Sequence, residues 1–160
     1  MKSKRALLYG AVALLLLALV FAILNKGDIS GPSDQSSNAG HEAVLLLTVE
    51  QETVQPVPID DFDAWLKTVD KPVFVDFGAE WCAYCKLAEP FVEQLAVEYN
   101  GRVFVVRIDV DEASALAREY GVQSIPQFSV FKEGKLVESL IGYDESRKDD
   151  IREMIGKLLP

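Results

Sequence analysis

The sequence predicts an α/β domain, a mixed central sheet flanked by helices, with a transmembrane helix ahead of it. Three observations carry the prediction. From residue 44 onward, short β-branched and aromatic runs alternate with longer segments of helical period. The last two runs, 128–131 and 136–141, are separated only by Lys132-Glu133-Gly134-Lys135, which makes them an antiparallel hairpin in a chain whose other runs are joined by helices. Residues 6–24 contain no charged side chain.

At 160 residues the chain has room for one ordinary domain. Hydrophobic residues make up 49%, enough for a packed core and too many for a disordered chain. Sixteen basic side chains stand against 25 acidic ones, a net charge of −9. So acidic a protein is a poor partner for nucleic acid, whose phosphates demand Lys and Arg. Two cysteines and a single histidine, His41, are too few for a four-ligand zinc site or a multi-disulfide scaffold. Neither a metal nor a cofactor is expected.

Taken in order, residues 1–24 read as a membrane anchor. As a helix, ALLYGAVALLLLALVFAIL spans about 28 Å, close to the roughly 30 Å hydrocarbon core of a bilayer. It has no polar face, unlike a helix packed on a protein core. It also continues through Ile23 and Leu24, past the small-residue site at Ala22 where a signal peptide would be cut. Lys2, Lys4 and Arg5 precede the run and only Lys26 follows closely. The positive-inside rule then keeps the N-terminus in the cytoplasm and sends the rest across the cytoplasmic membrane, to the periplasm in a bacterium. Residues 25–43 form a flexible linker whose first 16 residues reach roughly 20–24 Å on average. His41 lies at its end and is expected to be solvated.

The domain occupies residues 44–160. Residues 44–49 read as a strand. Asp60 or Asp61 caps a short helix carrying Phe62, Trp65 and Leu66. Residues 73–77, bounded by Pro72 and Gly78, are a buried strand. Residues 85–99 have helical spacing with Leu87, Phe91, Leu95 and Val97 or Tyr99 inward. A strand at 103–108 and a helix at 113–120, stopped by Gly121, follow. After the hairpin comes an amphipathic helix at 145–159 with Ile151, Ile155 and Leu158 on one face. The resulting order is β-α-β-α-β-α-β-β-α.

The two cysteines stand as Trp81-Cys82-Ala83-Tyr84-Cys85, directly after a buried strand and at the start of a helix. Two intervening residues let the sulfurs meet in one disulfide across a helical turn. Cys82 falls at the helix N-terminus, where unpaired N–H groups and the helix dipole favour a thiolate. Thiols of Cys-X-X-Cys motifs at such sites have pKa values of roughly 3.5–7.5, against about 8.5 unperturbed. Cys82 is therefore the attacking nucleophile, and Cys85 the resolving thiol. Other uses fit less well. A zinc half-site wants a second Cys/His pair, and a haem attachment needs His where Lys86 stands. An iron–sulfur cluster needs ligands from a second chain. A structural disulfide closing so short a loop restrains the unfolded chain little.

The stretch from Val75 through Asp76, Phe77, Gly78, Ala79, Glu80 and Trp81 to Lys86 is followed by Pro90, Tyr120-Gly121-Val122, Ser124-Ile125-Pro126, Phe131-Lys132-Glu133-Gly134 and Gly142. This pattern resembles the thioredoxin family, at that family's spacing and without a gap from about residue 62 to the C-terminus. The anchor, the linker and residues 44–52 lie outside the resemblance. It implies the thioredoxin fold and assigns roles. Asp76 matches the buried acid beneath the active site, whose raised pKa lets it take the proton from Cys85; a strand-end Asp bonded to backbone is the plainer alternative. Ile125-Pro126 matches a cis-proline loop that faces the cysteines and pairs with an extended substrate segment. Trp81 shields Cys82, Pro90 kinks the active-site helix, and Gly142 leaves room for the substrate backbone. Trp81, Ala83, Tyr84, Ile125, Pro126 and Gly142 thus form the substrate-binding set around the catalytic Cys82, Cys85 and Asp76.

The chain departs from the family in three places. Ala83-Tyr84 replaces the usual Gly-Pro between the cysteines, which leaves the reduction potential open. Gly78 stands where a large aromatic is usual, leaving a space for Tyr84, the Val44 segment or a substrate. Arg107 stands where a lysine usually neighbours the buried acid, and arginine does not deprotonate. The function implied is a membrane-tethered thiol:disulfide oxidoreductase that reduces cysteine-containing extracytoplasmic proteins. A membrane electron-donor protein would supply it, since the sequence carries no nucleotide-binding motif. A disulfide-forming oxidant or isomerase is the alternative within that class, and a non-catalytic binding module outside it.

Overall fold

The computed structural model describes residues 43–160. The apolar run at 6–24, His41 and the rest of the linker up to residue 42 lie outside the described residues. Among the described residues no helix is long and apolar enough to cross a membrane.

Strand β1 (Val44–Glu50) turns back through Gln51 and Glu52, at φ 49° and 65°, into β2 (Thr53–Pro58). Two successive left-handed residues make a tight hairpin turn, a conformation more often given to Asn-Gly. The sequence reading has no strand at 53–58, because the turn lacks glycine and Pro56 and Pro58 argue against one. The register explains why they are tolerated. Glu50 and Thr53 close the two-residue turn as a hydrogen-bonded pair, so the non-hydrogen-bonded pairs are Val49↔Val54, Leu47↔Pro56 and Leu45↔Pro58. Both proline nitrogens therefore point away from β1, toward the open edge of the sheet.

The remaining elements are α1 (Phe62–Leu66), β3 (Val73–Gly78), α2 (Ala83–Glu98), β4 (Phe104–Asp109), α3 (Ser114–Glu119), β5 (Gln127–Lys132) and β6 (Lys135–Ile141). A 3-10 turn (Glu145–Arg147) then leads into α4 (Lys148–Gly156). Asp61 caps α1 by accepting from the Ala64 N–H at 2.9 Å, and Gly121 follows α3 at φ 68°. The sheet order is β2-β1-β4-β3-β5-β6, with β3 and β4 parallel and the other neighbours antiparallel. This is the mixed sheet expected, with one further strand at its edge.

Helices cover both faces. Val73, Val75 and Phe77 of β3 pack with Phe62, Leu66, Val106, Ile108 and Phe131 on the α1/α3 side. Phe74 packs with Phe91, Leu95, Phe128, Ile151 and Ile155 on the α2/α4 side. A strand covered on both faces has no polar side to show, which is why β3 reads as one apolar run. Asp76 has the parity of Phe74 and so points toward α2.

The inward stripe of α2 runs Cys85, Ala88, Phe91, Val92, Leu95, Ala96 and then Tyr99. Leu87 is the correction: expected inward, it is 63% exposed, and Val97 is exposed as well. Cys85 sets the phase, and a residue two positions further lies about 200° around the helix. Strand β1 is tied in at its start, where the Asp109 N–H donates to the Ala43 carbonyl at 2.9 Å.

Candidate active site

Strand β3 ends at Gly78, and a short loop delivers Cys82 to the N-cap of α2. Cys82 is extended (φ −81°, ψ 108°), and its Sγ accepts the Cys85 N–H at 3.1 Å. Sulfur thus takes the place of the oxygen that usually caps a helix. No acidic side chain occupies the first turn, so nothing offsets the positive end of the helix there. The two sulfurs are joined (S–S 2.13 Å), with the Cα atoms 5.2 Å apart, and both residues are buried.

Asp76 lies beneath them, 2% exposed. It stands opposite Arg107 in the parallel β3–β4 register, and Arg107 stands opposite Leu45 in the antiparallel β4–β1 register. Arg107 Nε is 3.7 Å from Asp76 Oδ2, an ion pair longer than a hydrogen bond. Burial pushes the Asp76 carboxyl up to about 7; Arg107 draws it down, and Glu89 adds to the rise. A group of that strength is matched to accepting a thiol proton at neutral pH. The plainer alternative, an Asp bonded to backbone, finds no support at Oδ1, which has no hydrogen-bond partner among the described residues.

Cys85 and Asp76 share the lining of a cavity of about 200 Å³ with Leu45, Gly78, Glu89 and Arg107. Gly78 makes this possible. A Cβ built there would stand 3.3 Å from Cys85 Cβ and 3.4 Å from its Sγ. Of the fillers expected for that space, the Val44 segment supplies a wall through Leu45, whereas Tyr84 is 62% exposed.

The remaining expected residues surround the cysteines. The Ile125–Pro126 bond is cis. The Pro126 carbonyl accepts the Gly142 N–H at 2.8 Å. Gly142 has φ 84°, and a Cβ there would meet nothing within 4 Å, so its conformation requires glycine and the space above it is open. Trp81 is 70% exposed and donates its indole N–H to Asp111 Oδ2 at 2.7 Å. It lines a groove with Val110, Ala117, Val122 and Ile125. Ala83 and Tyr84 are exposed on the first turn of α2. Pro90 lies inside α2, which runs on to Glu98. Sequence reasoning missed Leu45, Glu89 and Asp111. None belongs to a motif, and only Asp111, an acid following a strand, has a local signal. Among the described residues no group of three or more His, Cys, Asp or Glu is placed to hold a metal ion.

A bonded cysteine pair at a helix start, with a proton acceptor behind it, can exchange its disulfide for another and return by the reverse path. The fold and this pair define a thiol:disulfide oxidoreductase. The comparisons give the family. The thioredoxin family model matches residues 53–157. A thioredoxin of Staphylococcus aureus is 37% identical over 103 residues, covering 64% of this chain and 97% of that protein. The chloroplastic M-type thioredoxin of Spinacia oleracea is 40% identical over 94 residues; the match covers 57% of this chain and only 52% of the spinach protein. Among solved structures, thioredoxin NaTrxh from Nicotiana alata superposes with a TM-score of 0.55 at 39% identity, covering 61% of this chain and 82% of that one. The chain belongs to the thioredoxin family. Strand β1 precedes the matched residues, yet it sits between β2 and β4 within the sheet.

Proposed function

We propose that this protein is a membrane-tethered reductase of disulfides in extracytoplasmic proteins. Residues 1–24 are its anchor, residues 25–43 its linker, and residues 44–160 its catalytic domain. The observation that carries the dithiol chemistry is Asp76, buried in the same cavity as Cys85 with its carboxyl pushed up to about 7. Such a group serves a thiol that must be deprotonated on demand. The tether rests on the uncharged run at residues 6–24.

In the reducing direction the Cys82 thiolate attacks a substrate disulfide and forms a mixed disulfide, releasing the first substrate sulfur as thiolate. Asp76 takes the proton from Cys85. The Cys85 sulfur then attacks Cys82, the Cys82–Cys85 bond forms, and the second substrate sulfur leaves with its electron pair. Two electrons pass from the dithiol to the substrate. Trp81, Ala83, Tyr84, Ile125, Pro126 and Gly142 hold the substrate segment, with the backbone of the Ile125-Pro126 loop pairing to it as an added strand. A membrane electron-donor protein returns the pair to the dithiol. Tethering raises the effective concentration of that donor.

The reduction potential of the Cys82–Cys85 pair tests the direction, measured by equilibration with defined thiol buffers. A value near the roughly −270 mV of thioredoxin supports a reductant, and one near about −120 mV makes the protein a disulfide donor instead. Topology is tested separately. In spheroplasts of a bacterial host, added protease should degrade the domain while the membrane is intact; protection overturns the extracytoplasmic placement.

A further inference from the structure

Protein disulfides approach Cys82 from the side of Trp81 and Pro126. The cavity at Gly78 is lined by Cys85 and by Glu80, Lys86 and Glu89, whose side chains are exposed. Its volume of about 200 Å³ is far too small for a polypeptide. A water needs only on the order of 10–15 Å³ of such space, so the cavity suits molecules of a few atoms. Three polar atoms of its lining residues have no hydrogen-bond partner among the described residues: Asp76 Oδ1, Arg107 Nε and Arg107 Nη2. Buried polar atoms left so are the exception in folded proteins, and a small polar guest satisfies them. Two are donors on a fixed cation, one is on a carboxyl group, and the neighbouring group is a thiol when the protein is reduced.

We propose that this cavity is a hydroperoxide site and that the reduced protein also consumes hydrogen peroxide, with Cys85 as the reacting thiol. The inference rests on the reading of Asp76 as proton acceptor for Cys85. The chemistry closes on these residues. Asp76 takes the Cys85 proton, and the sulfur attacks one peroxide oxygen. The O–O bond breaks, and the leaving oxygen takes the proton back from Asp76 as water. Arg107 donates hydrogen bonds to the peroxide oxygens and meets the charge that develops on the leaving one. Cys85 is then a sulfenic acid. The Cys82 sulfur attacks it, the Cys82–Cys85 disulfide forms, and a second water leaves. Two thiols have been oxidised and one peroxide reduced to two waters. The disulfide produced is the one the protein already cycles.

The surroundings select among oxidants. Arg107 and Glu89 act on Asp76 electrostatically, and Asp109 of β4, Lys86 of α2 and Glu80 from the loop before it line the same cavity; the β1 and β5 residues in its row, Leu45 and Phe128, carry no charge. Glu80, Glu89 and Asp109 against Lys86 and Arg107 leave the lining negative on balance, which disfavours anions. Neutral hydrogen peroxide is favoured over hypochlorite or peroxynitrite. The volume favours it over bulky organic hydroperoxides.

The experiment mixes the reduced full-length chain, in detergent micelles, with excess hydrogen peroxide and follows loss of free thiols. Oxidation is expected about 10²-fold faster than that of dithiothreitol at the same pH, the lower end of what positioned acid–base groups supply. Arg107→Met should lower that rate by about 10²-fold, as removal of a transition-state donor does. In Cys82→Ser the sulfenic acid should remain on Cys85, where dimedone labels it in a mass spectrum. Leu45→Trp narrows the cavity from β1 and should slow the peroxide reaction by a larger factor than it slows reduction of insulin disulfides. A wild-type rate no greater than that of dithiothreitol, or one indifferent to both Arg107→Met and Leu45→Trp, overturns the proposal. Insulin reduction fails separately: if Asp76→Asn leaves it unchanged, the reading of Asp76 is wrong whatever peroxide does.

Discussion

Arg107 Nε stands 3.7 Å from Asp76 Oδ2 across the parallel β3–β4 pair, close enough to act as a charge and too far to act as a hydrogen bond. The consequence is a sign. Removing the guanidinium takes away what favours the carboxylate, so the Asp76 pKa rises further in Arg107→Met. The resolving step then needs a more alkaline medium to reach half its maximal rate. Arg107→Lys, which keeps the charge, should move the midpoint back. Single-turnover release of a substrate thiol across the neutral pH range gives the profile, and a midpoint unmoved in Arg107→Met removes Arg107 from control of Asp76.

Asp76 also affects folding. Its carboxyl titrates at about 7 in the folded protein against 3.8 in the free side chain. Between those values the folded state holds a proton that the unfolded state has lost, so stability falls as pH rises through this window. Asp76→Asn removes the loss. The variant should gain on the wild type by up to on the order of 4 kcal/mol at pH 8, and far less near pH 4. Urea unfolding of the oxidised protein at the two pH values measures it; an equal difference at both excludes titration of Asp76 as the cause.

The cysteines divide their labour by position. Cys82 caps the helix and Cys85 lies a turn within it, beside the cavity. Cys82→Ser should abolish disulfide reduction, whereas Cys85→Ser should accumulate covalent adducts with substrate proteins, visible on non-reducing gels. Full activity with no adduct in Cys85→Ser reverses the assignment.

Strand β1 is structural although it precedes the residues matched by the family. Leu47 is buried on the α2/α4 side. Leu47→Ala should cost about 2–5 kcal/mol, the usual range for such a truncation in a core. A loss below 1 kcal/mol (on the scale of an ordinary surface change) means that β1 is only loosely held.

Much of this was legible in the chain, for reasons visible in particular residues. Val73 to Phe77 is apolar because both faces of β3 are covered, and Asp76 stands out as the polar member of that run. The Cys82/Cys85 spacing, Pro126 and Gly142 sit in short motifs whose local geometry is their meaning. Strand β2 was hidden because Gln51-Glu52 adopts a turn usually signalled by glycine, and because prolines forbid a central strand and permit an edge one. Leu87 was misplaced by one step of helical phase. The cavity had no local signal: Leu45, Asp76 and Arg107 meet only because a strand from outside the matched segment is seated against β4.

The two prolines of β2 have a consequence beyond the register. A sheet edge normally displays a ladder of free N–H donors on which any extended chain can build. On β2 the outward donors fall at positions 54, 56 and 58, and two of the three are proline nitrogens with no hydrogen to give. A protein that handles extended, cysteine-bearing chains is surrounded by strands seeking partners. Its β2 edge offers them a single donor among those three positions, which disfavours strand addition along that side.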